Sequence, residues 1–252
     1  MTDSIEKFSG RAVEYDKFRP SYPVEMLDFF KTTLGMTTEH LLVDIGAGTG
    51  KLTEILLKNG NSVYAVEPND EMRRLASTHF SDNPAFVAVK GTAEKTNLPE
   101  QAADFIFAAQ SFHWFDAAEA RKEFMRILRG KRMVILIWNI RISTGSDFLD
   151  GYERALCEYA PDYAQHGQDY IDTKAISSIY GGHHYKTMRF SNSQVLSEVG
   201  LIGRVLSNSY VPSPSDHCFQ ALLAAMRKLF HECKESGIVR IEYHTEVIYG
   251  YV

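Results

Sequence analysis

The sequence predicts an α/β protein built on a mostly parallel sheet with helices on both faces. Short apolar runs alternate with amphipathic helical patterns along most of the chain, as in consecutive strand and helix units. The first apolar run ends in an acid and a glycine-rich turn, and a helical pattern follows at once. The length of 252 residues suits one such domain with an insertion. We therefore expect one domain over residues 1–252 with a Rossmann-like, seven-stranded sheet and an antiparallel last strand.

The apolar runs predict the strands, and the 3.6-residue spacing between them predicts the helices. Strands are expected at residues 41–45, 62–66, 85–89, 104–109, 131–138, 205–211 and 242–252. Helices are expected at 24–34, from 51, from about 70, at 117–128 and at 216–235. Ser191 and Gln194 predict a capping box before a further short helix.

Composition restricts the partners and the cellular setting. The formal net charge of −5 argues against a nucleic-acid partner, because such surfaces are usually basic. The longest purely apolar run, residues 133–138, is too short to span a bilayer, and the polar first residues lack an apolar signal region. The three cysteines have no paired spacing, which is typical of reduced thiols. We expect a soluble cytoplasmic protein without a membrane or metal partner; the oligomeric state is not indicated.

Residues 44–50, D-I-G-A-G-T-G, are the most informative segment. Glycine at Gly46, Gly48 and Gly50 lets the backbone take positive φ and approach a ligand closely. The dinucleotide fingerprint G-x-G-x-x-G would need glycine where Lys51 stands, and the phosphate-loop pattern fails at two positions. The turn therefore either binds another class of ligand or is only a structural turn.

Polar residues follow the later strands, at the edge where an open parallel sheet binds its ligands. Glu67 comes about twenty residues after the glycine turn, where doubly wound nucleotide folds place an acid that holds the ribose. A solvated acid at a strand end is the other interpretation. Ala93 and Glu94 can offer a backbone N–H and a carboxylate to an adenine edge, although Glu94 can equally be an ordinary loop residue.

The loop after the fourth strand reads Q-S-F-H-W-F. His113 is a candidate general base because an imidazole titrates near neutral pH, and packing among its aromatic neighbours is the alternative. We expect the substrate pocket to include Tyr22, Phe112, Trp114 and Trp138, since aromatic side chains suit a small, partly apolar or anionic molecule.

Two segments are predicted to cover the strand ends. Residues 1–35 form an N-terminal lid or clasp, in which Tyr15, Arg19 and Tyr22 suit a carboxylate-bearing ligand. Residues 140–190 interrupt the alternating pattern, and we interpret them as a helical cap insertion.

These motifs together resemble those of class I S-adenosylmethionine-dependent methyltransferases, in the branch called type 11. They look closest to the small-molecule group that includes trans-aconitate methyltransferase-like proteins. The resemblance runs nearly end to end, with A-x-x-Y-x-x-x-R-P-x-Y-P before the sheet, D-I-G-A-G-T-G, F-H-W-F after the fourth strand and W-N after the fifth. Residues 128–131 depart from it, because they lack the Pro-Gly-Gly turn common before the fifth strand.

The resemblance implies S-adenosyl-L-methionine as cofactor, S-adenosyl-L-homocysteine as product and methyl transfer to a small-molecule acceptor. A carboxylate or hydroxyl acceptor is favoured, because the loop after the fourth strand lacks the [DN]-P-P-[YFW] turn of amide and adenine N-methyltransferases. The residues implied to bind the cofactor are Tyr15, Arg19, Asp44, Gly46, Ala47, Gly48, Gly50, Glu67, Pro68, Ala93, Glu94 and Gln110.

Two other functions stay open at this point. A cofactor-binding protein without transferase activity is compatible with the sequence, because methyl transfer has no obligatory catalytic residue to identify. A nicotinamide-dependent oxidoreductase on a similar sheet is the second, and Lys51 in place of the third fingerprint glycine argues against it.

Overall fold

A computed structural model describes residues 16–166 and 172–252. Its strands are β1 (Leu41–Ile45), β2 (Ser62–Val66), β3 (Phe86–Val89), β4 (Ala103–Ala109), β5 (Leu128–Arg141), β6 (Tyr185–Leu196) and β7 (Val239–Tyr251). They form one seven-stranded sheet in the order β3-β2-β1-β4-β5-β7-β6. The first five strands pair in parallel, and β7 runs antiparallel to β5 and β6. The predicted sheet with an antiparallel last strand is confirmed.

The helices surround this sheet. They are α1 (Glu25–Thr32), α2 (Lys51–Lys58), α3 (Asp70–His79), α4 (Ala117–Ile127), α5 (Asp147–Tyr159), α6 (Pro161–His166), α7 (Thr173–Ile179), α8 (Glu198–Leu206) and α9 (His217–Cys233). The side chain of Asn69 caps α3 and that of Asp116 caps α4, each by accepting two backbone N–H groups.

The sheet is buried on both faces because alternate residues of its central strands face different clusters. In β4, Phe105 and Phe107 pack with α1 and α2, whereas Ile106 and Ala108 pack with α4 and α7. This explains why β4 reads as a nearly continuous apolar run rather than an alternating one.

A third apolar cluster lies at the edge of the sheet where the parallel strands end. It joins α5, α8 and α9 to the first residues of β7, which starts at this edge because it runs antiparallel. Part of the segment predicted as a cap lies elsewhere. Ile176 and Ile179 of α7 belong to the core beneath α4, and the hydroxyl of Tyr180 lies within hydrogen-bond distance of Val134 O and Ile248 O in mid-sheet. The boundaries of a cap at residues 140–190 stay a prediction.

Two sequence predictions are wrong. Residues 205–211 are not a strand, because Val205 and Leu206 end α8, whose N-terminal cap is Ser197. Ser191 and Gln194 do not cap a helix and lie in β6 instead. This strand is at the edge of the sheet and most of its residues are exposed or half-exposed, so its sequence lacks the apolar alternation that indicates a strand.

Within residues 16–166 and 172–252, no helix combines the length and apolar character that crossing a membrane requires.

Candidate functional site

A cavity of about 290 Å³ opens where the parallel strands end. Its wall includes residues that follow β1, β2 and β4, the last residues of β5, and residues of α8 and β7. The chain runs from β1 through β2 to β3 on one side and returns to β4 and β5 on the other. The cavity therefore lies at the point where the strand order reverses, which is where open α/β sheets bind their ligands.

The three glycines after β1 are required for two different reasons. A Cβ on Gly46 would lie 2.5 Å from Ser111 Cβ, and one on Gly50 would lie 2.5 Å from the ring of Phe80. These two glycines therefore allow close packing. Gly48 has φ +59° and nothing nearer than Met72 Sδ at 3.8 Å, and it faces the cavity. Of the three, Gly48 is the one whose missing side chain leaves room for a ligand, while Gly50 does not line the cavity.

Glu67 is fixed by two backbone donors. Gly48 N–H donates to Glu67 Oε2 at 2.9 Å, and Asn69 N–H donates to Glu67 Oε1 at 2.8 Å. Burial raises the pKa of this carboxyl, and the hydrogen bonds from Asn69 and Gly48 oppose the shift. Each carboxylate oxygen has further lone pairs, so the group can accept hydrogen bonds from a ligand without releasing the turn.

Asp44 is a buried acid with one oxygen unused by the protein. The residue is 1% exposed and lines the cavity. Oδ2 accepts from Thr53 Oγ1 at 2.7 Å, and Oδ1 has no hydrogen-bond partner. Burial raises the pKa of Asp44 to about 7. A buried carboxylate oxygen without a donor is costly, so this atom fits a cationic or hydrogen-bonding group of a ligand.

Most of the remaining residues implied to bind the cofactor line the same cavity. Those in its wall are Ala47, Pro68, Ala93, Glu94 and Gln110. Gln110 has φ +56°, and its side chain donates to Asn139 O at 3.0 Å, so it closes the cavity between β4 and β5. Glu94 Oε1 accepts from Asp116 N at 2.9 Å, at the start of α4.

Three residues of the described N-terminal segment, Arg19, Pro20 and Tyr22, line the cavity too. Arg19 Nη2 donates to Ser207 O at 2.9 Å, which joins this segment to the end of α8. Tyr22 is buried in the wall. Lys51 Nζ donates to Asp16 O, and burial lowers the pKa of Lys51. Tyr15 lies outside the described residues.

The aromatic residues after β4 and β5 divide between the cavity and the core. His113 and Trp114 line the cavity. Removal from water inside the cavity, together with the charge of Arg19, lowers the pKa of His113 to about 4, so the imidazole is uncharged at neutral pH. Phe112 and Trp138, predicted for the pocket, pack edge to face in the core behind it and are not in its wall. Both were assigned by their place after a strand, which does not tell which face a side chain takes.

Sequence reasoning missed the far wall of the cavity. It consists of Asn139, Arg141, Tyr163, Arg204, Asn208, Ser209, Tyr210 and Tyr243. Arg141 is paired in register with Tyr243, and it makes an ion pair with Glu153 and a hydrogen bond to Tyr163 OH at 2.8 Å. Arg141 comes two residues after Asn139 of the W-N pair, which is the one signal that could have identified it.

One group of three potential metal ligands lies together in the described part of the chain. It consists of Asp216, His217 and Cys218 at the start of α9, and none of them lines the cavity.

The doubly wound sheet and the cavity at its switch point define the Rossmann-like class of α/β proteins. Residues 43–136 match the family model described as a methyltransferase domain, of type 11. An uncharacterized methyltransferase of Mycobacterium tuberculosis (strain H37Rv) is 38% identical over 139 residues, which cover 55% of this chain and 54% of that protein. The chain thus spans about half the length of this relative.

More distant proteins match over nearly the whole chain. A methyltransferase-like protein of Schizosaccharomyces pombe is 24% identical over 248 residues, which cover 96% of this chain and 93% of that protein. A solved structure from Anaeromyxobacter dehalogenans, proposed to be a type II methyltransferase, has a TM-score of 0.69 at 17% identity and covers 93% of this chain and 98% of its own. Residues 43–136 thus match the type 11 methyltransferase family, and the fold that the chain shares with a solved structure extends over nearly its whole length.

Proposed function

We propose that the protein transfers a methyl group from S-adenosyl-L-methionine to a small-molecule acceptor, with a carboxylate favoured over a hydroxyl. The observation that carries this proposal is the cavity at the switch point. One side of it holds Gly48, Glu67 and the unused Asp44 Oδ1, and the other is cationic and rich in tyrosine. S-adenosylmethionine, when bound, would supply a methyl group on a sulfonium, and an acceptor on the other side would take up this methyl group by in-line attack as S-adenosylhomocysteine leaves.

The residues around β1 and β2 fit the donor. Glu67 would accept hydrogen bonds from the ribose hydroxyls, because its carboxylate is already oriented by Gly48 and Asn69. Asp44 Oδ1 would accept from the ammonium of the methionine part, since it is buried and has no donor of its own. Ala93 and Glu94 would meet the adenine, and Arg19 the carboxylate of the methionine part.

The chemistry of the cavity favours a carboxylate acceptor. Displacement from a sulfonium needs alignment and exclusion of water, and a carboxylate needs no proton removed. A hydroxyl or amine would need a base. His113, with its pKa lowered to about 4, is uncharged but only weakly basic. The cavity thus supports positioning of the acceptor rather than activation of it.

Two measurements test this function. Calorimetry with S-adenosylhomocysteine should give saturable binding, and NAD should give none, whereas binding of NAD alone would favour an oxidoreductase. Transfer of label from methyl-labelled S-adenosylmethionine to a panel of carboxylates, phenols and amines should give label in a carboxylate ester. Donor binding with no transfer to any acceptor would favour a cofactor-binding protein without activity.

A further inference from the structure

Arg204 is a buried cation in the wall of the cavity. It stands near the end of α8, lines the cavity and is 5% exposed. Burial of a guanidinium removes its hydration, and this is costly unless an anion pairs with it. None of the steps proposed above uses this residue.

The protein provides Arg204 with neutral partners. Its Nη1 donates to Asn208 Oδ1 at 2.7 Å, and its Nε donates to Tyr243 OH at 3.2 Å. The ionisable groups that face it are the hydroxyls of Tyr243, Tyr152 and Tyr210. In the described ranges, no carboxylate lies within ion-pair distance of its guanidinium.

Arg141 is a second buried arginine in the same wall, and a carboxylate compensates its charge. Its guanidinium makes an ion pair with Glu153 and lies 4.8 Å from the ring centre of Tyr152. Glu153 therefore neutralises one of the two buried arginines. The charge of Arg204 remains, so the far wall of the cavity carries a net positive charge.

This charge is far from the part of the cavity that would hold the ribose of the donor. Gly48 and Glu67 follow β1 and β2, whereas Tyr243, which bonds Arg204, is in β7. From β1 to β7 there are three strand spacings, which is about 14 Å. A donor beside β1 and β2 leaves this wall to a second molecule.

Tyr152 is buried, and its ring contacts the guanidinium of Arg141. Burial raises the pKa of Tyr152, and Arg204, Arg141 and Arg19 all oppose the shift. The three guanidinium groups therefore act on the same small region. Because Arg19, Arg141 and Arg204 also line the cavity, a negatively charged group bound beside them would be attracted by all three.

We propose that Arg204 is a specificity-determining residue that pairs with a negatively charged group, a carboxylate or phosphate, of the methyl acceptor. The inference rests on the proposed function, because it concerns the second molecule of that reaction. An anionic group of the acceptor at this position would provide the negative charge that pairs with the guanidinium of Arg204. A neutral analogue of the same shape would leave the buried guanidinium without one and would be rejected.

The test uses matched acidic and neutral probes on the full chain saturated with S-adenosylhomocysteine. The pairs are succinate with succinamide, glutarate with glutaramide, 4-hydroxybenzoate with 4-hydroxybenzamide, and phenyl phosphate with phenol. At least one acid should bind at least 10-fold more tightly than its neutral partner in calorimetry. The carboxylate and phosphate pairs distinguish the two sources of charge.

Variants then assign this preference to one residue. Arg204→Met should weaken binding of the preferred acid about 10- to 100-fold, and Arg204→Lys should restore part of it. Arg189→Met is the control, because Arg189 is paired with Glu246 and does not line the cavity. Binding of S-adenosylhomocysteine should be unchanged in all three variants.

Three outcomes would overturn the proposal. The proposal is overturned if wild type binds each acid and its neutral partner equally. This result does not depend on whether Arg204→Met folds. Equal binding of the acid by wild type and Arg204→Met would overturn it as well. A loss of S-adenosylhomocysteine affinity in Arg204→Met would assign the residue to the donor instead. Failure of wild type to bind S-adenosylhomocysteine at all would refute the proposed function rather than the role of Arg204.

Discussion

The backbone N–H of Gly48 donates to Glu67 Oε2 at 2.9 Å, which joins the turn after β1 to the acid after β2. Asn69 N–H holds the other oxygen of the same carboxylate. A single side chain therefore fixes two loops that come from neighbouring strands. The glycine motif and the acid, which are about twenty residues apart in sequence, act as one structural unit.

Gly48→Ala should weaken donor binding at a moderate cost in stability. The new methyl group stands beside a cavity rather than in a packed core, and φ of +59° costs an alanine about 1–2 kcal/mol. Affinity for S-adenosylhomocysteine, measured by calorimetry, should fall at least 10-fold.

Gly130→Ala is the matched control for this change. Gly130 has φ +61° and open space around it, as Gly48 does, but it does not line the cavity. The two variants should lose similar free energy of unfolding, and only Gly48→Ala should lose affinity. Equal affinity in both would contradict the assignment of the turn to the donor.

Glu67→Gln should weaken donor binding and loosen the turn. The amide has a single acceptor oxygen, so its N–H₂ group must face either Gly48 N–H or Asn69 N–H. Loss of charged hydrogen bonds is worth about 1.5–3 kcal/mol, or roughly 10- to 100-fold in affinity for S-adenosylhomocysteine.

Glu246→Gln serves as the control for Glu67→Gln. Glu246 is equally buried and paired with Arg189, but it lies outside the cavity wall. It should lower the melting temperature without changing affinity. If Glu67→Gln bound the donor as well as wild type does, the ribose role of this acid would be refuted.

The sequence was sufficient to predict the strands and the glycine turn that form one side of the candidate site. The glycine turn and the strands before Glu67 and Gln110 have local patterns, and these strands occur where the patterns predicted them. Arg204 and Tyr243 could not be predicted in this way. They meet because α8 packs on β7 after a long separation in sequence, and the segment before α8 is an exposed edge strand with no apolar period.

Phe112 and Trp138 show a second limit of pattern reasoning. Phe112 follows β4 and Trp138 lies near the end of β5, and both strands end at the cavity, yet these two side chains pack against each other in the core. The order of residues gives the position of a loop along the sheet. The direction of each side chain depends on the 3-10 turn of Phe112–Trp114 and on the bulk of α4, which are tertiary features.

Asp44 should make the free protein less stable as the pH rises. Its pKa is about 7 in the folded chain against an ordinary value of 3.8, so the folded state binds a proton that the unfolded state has released. The stabilisation is complete below about pH 4 and is lost as the pH rises through 7. Over this window it amounts to on the order of 4 kcal/mol.

Asp44→Asn should remove this dependence. Urea unfolding at pH 5 and pH 8 should show a smaller fall in the free energy of unfolding for the variant than for wild type. Asp104→Asn is the control, because Arg129 lowers the pKa of Asp104 and that acid therefore has the opposite dependence. An equal fall in Asp44→Asn and wild type would show that the Asp44 pKa is not raised.

His113→Gln distinguishes a carboxylate acceptor from one that must lose a proton. A carboxylate is already a nucleophile, so the variant should keep kcat within about threefold of wild type with its carboxylate substrate. A required general base would instead contribute about 10²- to 10⁴-fold. Because the pKa of His113 is lowered to about 4, its ring stays uncharged from pH 6 to pH 9, and the wild-type rate should not follow an imidazole titration in that range. A loss of more than 100-fold in kcat, with unchanged affinity for S-adenosylhomocysteine, would assign proton removal to His113 and would exclude an acceptor that needs no base.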